Sequence, residues 1–588
     1  MEQASDATAS HRGAIAPLPA SVQSLLMARV DHLTPADKEV LQAASVIGRR
    51  FRADILTKAT DVPKIGERLS AMEAVDLIHA DRTTDEFVFK HALVCDALYS
   101  GLLSGERAAL HLRIAREIEQ RNADRLIEVA ETLAYHFSRT NQTEKSVEYL
   151  ALSGRKSFGV YSLDEAEHFL KSAIALARSH DKTRMDVQVA TAMMDLAKVL
   201  YLQSRSLETI ALIEPELGSL DRLGDMEPVV VLLDLYAIAL FTQCRFQEGR
   251  RIEEHALEIA ERLGDERAQA YARAGIIMLA LMTDRKPGVE FDRLAEQAYE
   301  KARAHGDPYI IGRTMMAIVW NHVHFGLVLE GRRWAERLMA FGRERQDPRA
   351  LGMAHWLNGW LDIIAMDYEA ALAHGEECLR IALTPMDRQV GETVVGNCRL
   401  LLGRVAEGTE TILRHRRKAQ ENGWRVSAMS GDIALAVSML MRGQFAKGVR
   451  NLELVIERAK SEYNYPSYAD LGRIYLAEFH IALLRGTKTP SLRVLLKNLL
   501  FLVHAKRVAA RKAEALLRKA MADPWFSERG VTRARIEFDL GEVCAATGRT
   551  DLARAHFKKA RAIAVAQNVP KWLAKIDVSA ALLETGGC

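Results

Sequence analysis

Cysteine is sparse. Cys95, Cys244, Cys378, Cys398, Cys544 and Cys588 are scattered over 588 residues without a CxxC pair, which excludes a cysteine-built zinc site and a disulfide framework and fits a reducing, cytoplasmic setting. Proline is equally scarce, at 14 residues, and β-branched runs are few against abundant Ala, Leu, Arg and Glu, so helix is expected nearly everywhere. Neither sign of charge is in excess, with 80 basic and 77 acidic side chains, and no global field draws the chain to nucleic acid or anionic lipid. No apolar run reaches the ~20 residues that a bilayer span requires, and the opening MEQASDATASHRGAIAPLPA has no signal-peptide core. G-x-x-x-x-G-K-[ST], HExxH, GxSxG and a glycine-rich dinucleotide loop are all missing, so no catalytic constellation or cofactor site is expected.

What is present is helix punctuation. Residues 1–20 are small and polar and read as a disordered lead-in. A helix is expected from Val22 to His32, and Thr34, Pro35 and Asp37 then supply an N-cap, an N1 proline and an early carboxylate for a second helix that Gly48 ends. Shorter helices around Ala53–Ala59 and Ile65–Val75 follow. Leu77–His79 and Phe87–Phe89 flank the polar Asp81–Glu86 stretch as the arms of a small hairpin. This order predicts a winged-helix-like module over 21–103, followed by a connecting helical segment at 104–125.

From residue 126 onward the chain repeats at about forty residues. Asp225, Asp265, Asp307, Asp347 and Asp387 stand 40, 42, 40 and 40 residues apart, each expected to cap the helix after it. Halfway through each unit a small residue recurs at Gly249, Gly288, Gly331, Ala371, Gly408 and Gly448, where the second helix of a hairpin must approach the first closely. A two-helix unit cannot bury its apolar face alone, so the units stack into a solenoid. The fold class is all-α: a winged-helix-like module, then a right-handed tetratricopeptide-like superhelix over 126–483. A loop at Arg485–Pro490 opens atypical helical repeats at 484–580, and 581–588 form a tail.

Leu18–Leu26, Ala28–Leu33, Leu41–Arg49 and Phe89–Leu93 carry a resemblance to large bacterial signalling ATPases. These are the multidomain class III adenylate cyclases with an AAA-type ATPase and tetratricopeptide-like repeats, and the related STAND-type regulators. The resemblance is specific over 18–118 and generic beyond, to about residue 580. It implies that the chain corresponds to the C-terminal winged-helix and repeat portion. The absent P-loop implies in turn that any ATPase or cyclase module is encoded elsewhere or was lost by truncation. The resemblance also makes His91, where the hairpin returns into a helix, a contact for nucleotide phosphates, against a capping or packing role.

Trp320 and His324, with His355, Trp356 and Trp360 one unit later, concentrate aromatics in mid-array, as a groove for a peptide or small ligand would, against a plain core role. His322 and His324, two apart on one helix, do not share a face and make a poor metal pair. Arg414–Lys418 is expected to close a helix as a solvated basic patch. Leu492–Val503 followed by Lys506, Arg507, Arg511 and Lys512 reads chiefly as an interior helix, with a membrane-surface or partner-helix contact at 492–512 as the other reading. The favoured function is a non-catalytic regulatory arm that binds a protein or peptide partner through its repeats, in the cytoplasm. The alternatives are a part of a cyclase-related signalling protein and a winged-helix DNA-binding regulator. The mixed charge of Lys64, Glu67, Arg68, Glu73 and Asp76 on the candidate recognition helix disfavours the last.

Overall fold

Alternation of nearly all-apolar helices with amphipathic ones determines the architecture. A computed structural model describes residues 28–81, 83–179, 181–280, 289–463, 465–486, 491–523 and 526–584. The expectations for residues 1–27, Gly288, the loop residues 487–490 and the end of the tail lie outside these. The chain divides into two compact units, 1–184 and 185–588.

In the first unit α1 (Pro35–Ile47), β1 (Arg50–Phe51), α2 (Ala53–Ala59), α3 (Ile65–Ala74), β2 (Ile78–Asp81), β3 (Glu86–Phe89) and α4 (Ala92–Ser100) follow one another. The Thr34 hydroxyl accepts from the Asp37 backbone N–H at 3.2 Å, and Pro35 occupies the first turn of α1. The strands form an antiparallel sheet in the order β1-β3-β2, with Arg50 opposite Val88 and Ile78 opposite Phe89. The hairpin lies where its apolar arms put it. The two-residue β1 is an addition that periodicity cannot reveal in so short a strand. Val40, Leu41, Phe51, Leu56, Leu69, Ile78, Phe89 and Leu98 make one core. Beyond it, α5 (Ser104–Arg121), α6 (Ala130–Phe137), α7 (Thr143–Gly159) and α8 (Leu163–Ala177) pack in sequence. His111 on α5 and His136 on α6 are buried with their Nδ1 atoms 2.9 Å apart, and His111 Nε2 lies 3.1 Å from the Tyr99 hydroxyl. Desolvation first, then nearby positive groups, pushes both imidazoles down to about 3.

The second unit is a tetratricopeptide-like α-solenoid. Its helices are α9 (Val187–Leu202), α10 (Ser206–Ile213), α11 (Leu217–Leu223), α12 (Glu227–Thr242), α13 (Phe246–Leu263), α14 (Glu266–Leu279), α15 (Val289–His305), α16 (Pro308–Phe325), α17 (Val328–Arg345), α18 (Pro348–Ile364) and α19 (Tyr368–Ile381). Then come α20 (Pro385–Leu401), α21 (Val405–Glu421), α22 (Arg425–Met441), α23 (Phe445–Ser461), α24 (Pro466–Arg485), α25 (Leu492–Ala522), α26 (Val531–Ala546), α27 (Thr550–Ala566) and α28 (Pro570–Glu584). In the regular hairpins the first helix is almost wholly buried: α12, EPVVVLLDLYAIALFT, is buried from Val229 to Thr242. The second helix, such as α13, FQEGRRIEEHALEIAERL, is buried along one stripe only.

The small-residue series marks the crossing of each hairpin. A Cβ at Gly249, Gly408 or Gly448 would stand 3.0 Å from a carbonyl oxygen of the preceding helix, and one at Gly331 would stand 3.2 Å from the Cβ of His322. Of the aspartate series, Asp265, Asp307 and Asp347 cap α14, α16 and α18 with backbone bonds of 2.8–3.4 Å. Asp225 and Asp387 depart from the expectation. Asp387 sits in the third turn position of α20, inside a capping box whose cap is Thr384. Asp225 precedes the cap position and instead receives Arg262 at 2.9 Å. Both remain at unit junctions, so the period holds although the role changes. Arg414–Lys418 also departs: it lies inside α21, which runs on to Glu421, and His415 is buried with Nε2 2.9 Å from the Ser427 hydroxyl.

The array coils until it meets itself. The Val531 N–H donates to the Gly326 carbonyl at 2.8 Å, the Leu329 N–H to Gln567 at 3.1 Å, and the Trp572 indole N–H to the Ile364 carbonyl at 2.9 Å. Lys571 reaches Asp367 across 204 residues, which at forty residues per unit is about five units per turn. Some two units earlier in the array Gln243 donates to the Gly423 carbonyl, and Phe246 meets Tyr465 edge to face at 5.0 Å. Gly530 sits at the seam, where an added Cβ would fall 2.2 Å from the Phe325 carbonyl oxygen.

Two outcomes follow. Gly530→Ala forces backbone apart at the seam and should lower stability by about 1–3 kcal/mol, read as a drop in thermal midpoint. The folded-state pKa values of His111 and His136 lie below the unfolded value, so their contribution is intact at neutral pH and is lost as pH falls from about 6.5 toward 3. The stability difference between neutral pH and about pH 5 should therefore shrink in His111→Gln/His136→Gln. The change is on the order of 2 kcal/mol per imidazole, checked by urea unfolding.

Candidate ligand-binding chamber

Coiling brings the first helices of successive hairpins around a shared space. A cavity of about 450 Å³ is lined by α16, α18, α20, α22, α24, α26 and α28, with contributions from Met366, Tyr368 and Phe526. Its apolar wall is built from Trp320, Trp360, Ile363, Ile364, Tyr368, Phe526, Phe538 and Trp572. Trp572 is held by its bond to the Ile364 carbonyl and by Phe538, 6.0 Å away edge to face. Helix period explains α26: Val531, Arg535, Phe538, Asp539 and Glu542 recur at three- and four-residue spacing and so share the face turned to the cavity.

Of the residues singled out in sequence, Trp320, His324 and Trp360 line the chamber. Trp356 stands behind Trp320, with ring centroids 4.8 Å apart and planes 25° from parallel. His355 is turned to the next helix, its Nδ1 2.8 Å from that of His374. His324 Nδ1 lies 3.0 Å from the Trp320 carbonyl, which places the proton on Nδ1. Desolvation pushes this imidazole down to about 4, so it is neutral at physiological pH. His322 packs elsewhere, against Phe291, with Nδ1 2.8 Å from the Ile318 carbonyl. His91 belongs to the first unit, as the exposed N-cap residue of α4, with no side-chain bond to that helix. Among the described residues no group of three His, Cys, Asp or Glu side chains is disposed to hold a metal ion.

The polar wall was not legible in sequence, because its members come from three helices some twenty to sixty residues apart and each alone resembles a solubilising charge. Arg535 donates twice to Glu478 at 2.7 Å, and its cation lies 4.6 Å from the Tyr475 ring centre. Glu542 pairs with Arg485. Lys575 lies over the rings of Phe538 and Trp572 at 4.7 and 4.8 Å. Asp539 is buried between these groups, with one carboxyl oxygen lacking a hydrogen-bond partner. Burial, then the nearby Glu478, pushes its pKa well above the ordinary carboxyl range, against the opposing pull of Arg535 and Lys575. The chamber thus offers aromatic faces, two internally matched ion pairs, one uncommitted carboxyl and one ammonium.

No protein-family model matches the chain. An uncharacterized protein of Rhizobium meliloti (strain 1021) is 26% identical over 161 residues, which are 26% of this chain and 15% of that protein. The chain therefore spans well under two thirds of that relative's length. Among solved structures, a Signal Transduction ATPase with Numerous Domains with a tetratricopeptide repeat sensor, from Pyrococcus horikoshii, is similar over 78% of this chain and 68% of its own, at 12% identity and a TM-score of 0.47. A Rap protein complexed with Competence and Sporulation Factor is similar over 74% of this chain and 99% of its own, at 14% identity and a TM-score of 0.35.

The Asp539 carboxyl titrates above its unfolded value, so the stability it contributes is present below the ordinary carboxyl pKa and is lost as pH rises through the folded pKa. Asp539→Asn should remove that loss. In urea unfolding across acid, neutral and alkaline buffers, the variant should gain stability relative to the parent as pH increases.

Proposed function

We propose that the chain is a non-catalytic regulatory arm whose second unit holds an extended peptide or a protein segment in the chamber between its first helices. The carrying observation is the aromatic wall of Trp320, Trp360, Tyr368 and Trp572 facing a polar wall with one uncommitted carboxyl. Rigid aromatic anchors beside a few fixed polar groups suit a partner held by two or three side chains. In this reading Trp320, His324 and Trp360 touch the partner, and Trp356 and His355 support them from behind.

The first unit then serves as a winged-helix-like module over 21–103, linked through 104–125 to repeats over 126–483 and atypical repeats over 484–580. Supporting this are the helix order α1-α2-α3, the three-stranded sheet with its hairpin, and the return into α4. The module couples to a STAND-type ATPase or class III adenylate cyclase module encoded elsewhere or lost by truncation, with His91 at the start of α4 meeting nucleotide phosphates. Among the described residues Cys95, Cys244, Cys378, Cys398 and Cys544 form no disulfide, which suits a cytoplasmic setting. Lys64 is paired with Glu67 and Arg68 with Asp37, which leaves α3 without a cationic face for DNA.

A photo-crosslinking residue in place of Trp360 in the producing cells should capture a defined partner, and one in place of exposed Arg333 on the outer helix α17 should not. Trp320→Ala/Trp360→Ala should then weaken the purified partner by about tenfold or more while the helical circular dichroism is kept. Equal capture from both positions would sink the chamber as the binding site. The reading frames around the gene should encode G-x-x-x-x-G-K-[ST]; a neighbourhood without it removes the ATPase coupling and leaves the binding arm.

A further inference from the structure

Helix α25 departs from the pattern of its neighbours. It has 31 residues, against 20 in its hairpin partner α24. Its N-terminal stretch is apolar on two opposite sides. The inner side is attached to the array: the Asn498 amide donates to the Gly443 carbonyl at 3.0 Å, and Val494 closes on Gly443. The outer side bears Leu492, Leu496, Leu499, Leu500 and Val503, exposed by 72, 65, 53, 88 and 46%. Spacings of four, three, one and three residues gather them into one stripe about 100° wide. The sequence expectation of an interior helix is therefore corrected: attachment to the array consumes one face and leaves an equally apolar one in solvent.

Charge identifies what fits that stripe. From Ser491 to Ala513 there are six cations, Arg493, Lys497, Lys506, Arg507, Arg511 and Lys512, and no carboxylate before Glu514. Other outer helices, α13 for example, mix both signs. Among the described residues only Lys512 of the six meets a carboxylate, Glu453 at 3.5 Å. A second copy of this face would set cations against cations and is disfavoured. Helical geometry puts Lys506 on one flank of the stripe, Arg493, Lys497 and Arg511 on the other, and Arg507 in line with the stripe one turn beyond Val503. Long aliphatic stems on both flanks let charged heads reach outward while the leucines sit lower. The stripe is a convex ridge on a single helix, which a fluid planar surface receives without a matching groove. None of the helices among the described residues is long and apolar enough to cross a membrane, so the geometry is that of lying on one.

We propose that this face of α25 is a docking surface for an anionic phospholipid bilayer, with Leu492, Leu496, Leu499, Leu500 and Val503 entering the acyl boundary and the flanking cations on the lipid phosphates. The inference is independent of the chamber and its partner. Its test is co-sedimentation of the full chain with vesicles of phosphatidylcholine alone and of phosphatidylcholine mixed with phosphatidylglycerol. Binding is expected to the mixed vesicles only, and to weaken with added salt. Leu496→Glu/Leu500→Glu should reduce the partition by about tenfold or more, as should Arg507→Gln/Arg511→Gln. All four side chains point outward, so the thermal midpoint should stay at the parent's value and exclude unfolding as the cause. Absence of binding to the mixed vesicles overturns the proposal. So does binding that survives the leucine changes, which is adhesion by charge alone. Tight binding to soluble polyglutamate with none to vesicles also overturns it and points to an acidic polypeptide as the occupant.

Discussion

Contact between successive turns of the superhelix is the constraint on which the second unit depends. Stacked hairpins satisfy only their nearest neighbours, so an open array leaves the inner faces of its first helices in water. Here α26–α28 return to α16–α19, and the meeting rests on main-chain acceptors: the Val531 N–H donates to the Gly326 carbonyl, and the Trp572 indole N–H to the Ile364 carbonyl. Backbone bonds cannot be exchanged for other side chains. The approach at Gly530 leaves no room for a methyl group, so sequence freedom is smallest where the coil closes. The chamber is a by-product of this closure, since its apolar wall draws on α16 and α18 from one turn and on α26 and α28 from the next.

A second organising theme is charge placed inside. Arg313 on α16 donates to Asp234 on α12 at 2.5 Å, with the carbonyl of Tyr271 at 3.3 Å, and its cation lies 4.5 Å from the Tyr271 ring centre. Glu253 on α13 shares the site, where desolvation and then the adjacent Asp234 carboxyl push its pKa well above the ordinary carboxyl range. Gly275 is required beside them, because a Cβ there would lie 2.3 Å from a Glu253 oxygen. Such buried polar sets contribute less to stability than apolar packing of equal volume, yet they tolerate only one mutual arrangement of the helices. They fix register in an array whose units are otherwise alike.

Legibility in the sequence followed the range of the interactions. The forty-residue period, the hairpin at 78–89 and the crossings at Gly249, Gly331, Gly408 and Gly448 rest on contacts within a unit, and local pattern reports them. Asp225 and Asp387 kept their spacing but not their expected role, because the caps shifted by one to three residues while the junction stayed in place. The chamber was half visible: Trp320, His324 and Trp360 stood out as aromatics concentrated on two helices, whereas Glu478, Arg535, Asp539 and Lys575 sit on three separate helices and meet only when the hairpins stack. His355 shows the opposite case, since it lies five residues before the wall residue Trp360 and a helix turns it about 140° away. The outward leucines of α25 left two readings open for a related reason: a helix apolar on two opposite sides signals interior until the number of neighbours actually packed on it is known.

Closure also ties capacity to pitch. A guest that fills the space without stretching it leaves Val531 bonded to Gly326; one bulkier than the cavity must first part the coil along that line. Each hairpin would then tilt slightly on its neighbour, as the leaves of a spiral spring do when one coil is wedged, and the small rotations would add along the array. In the proposed binding role, the size of a guest would thus be coupled to the pitch of the solenoid.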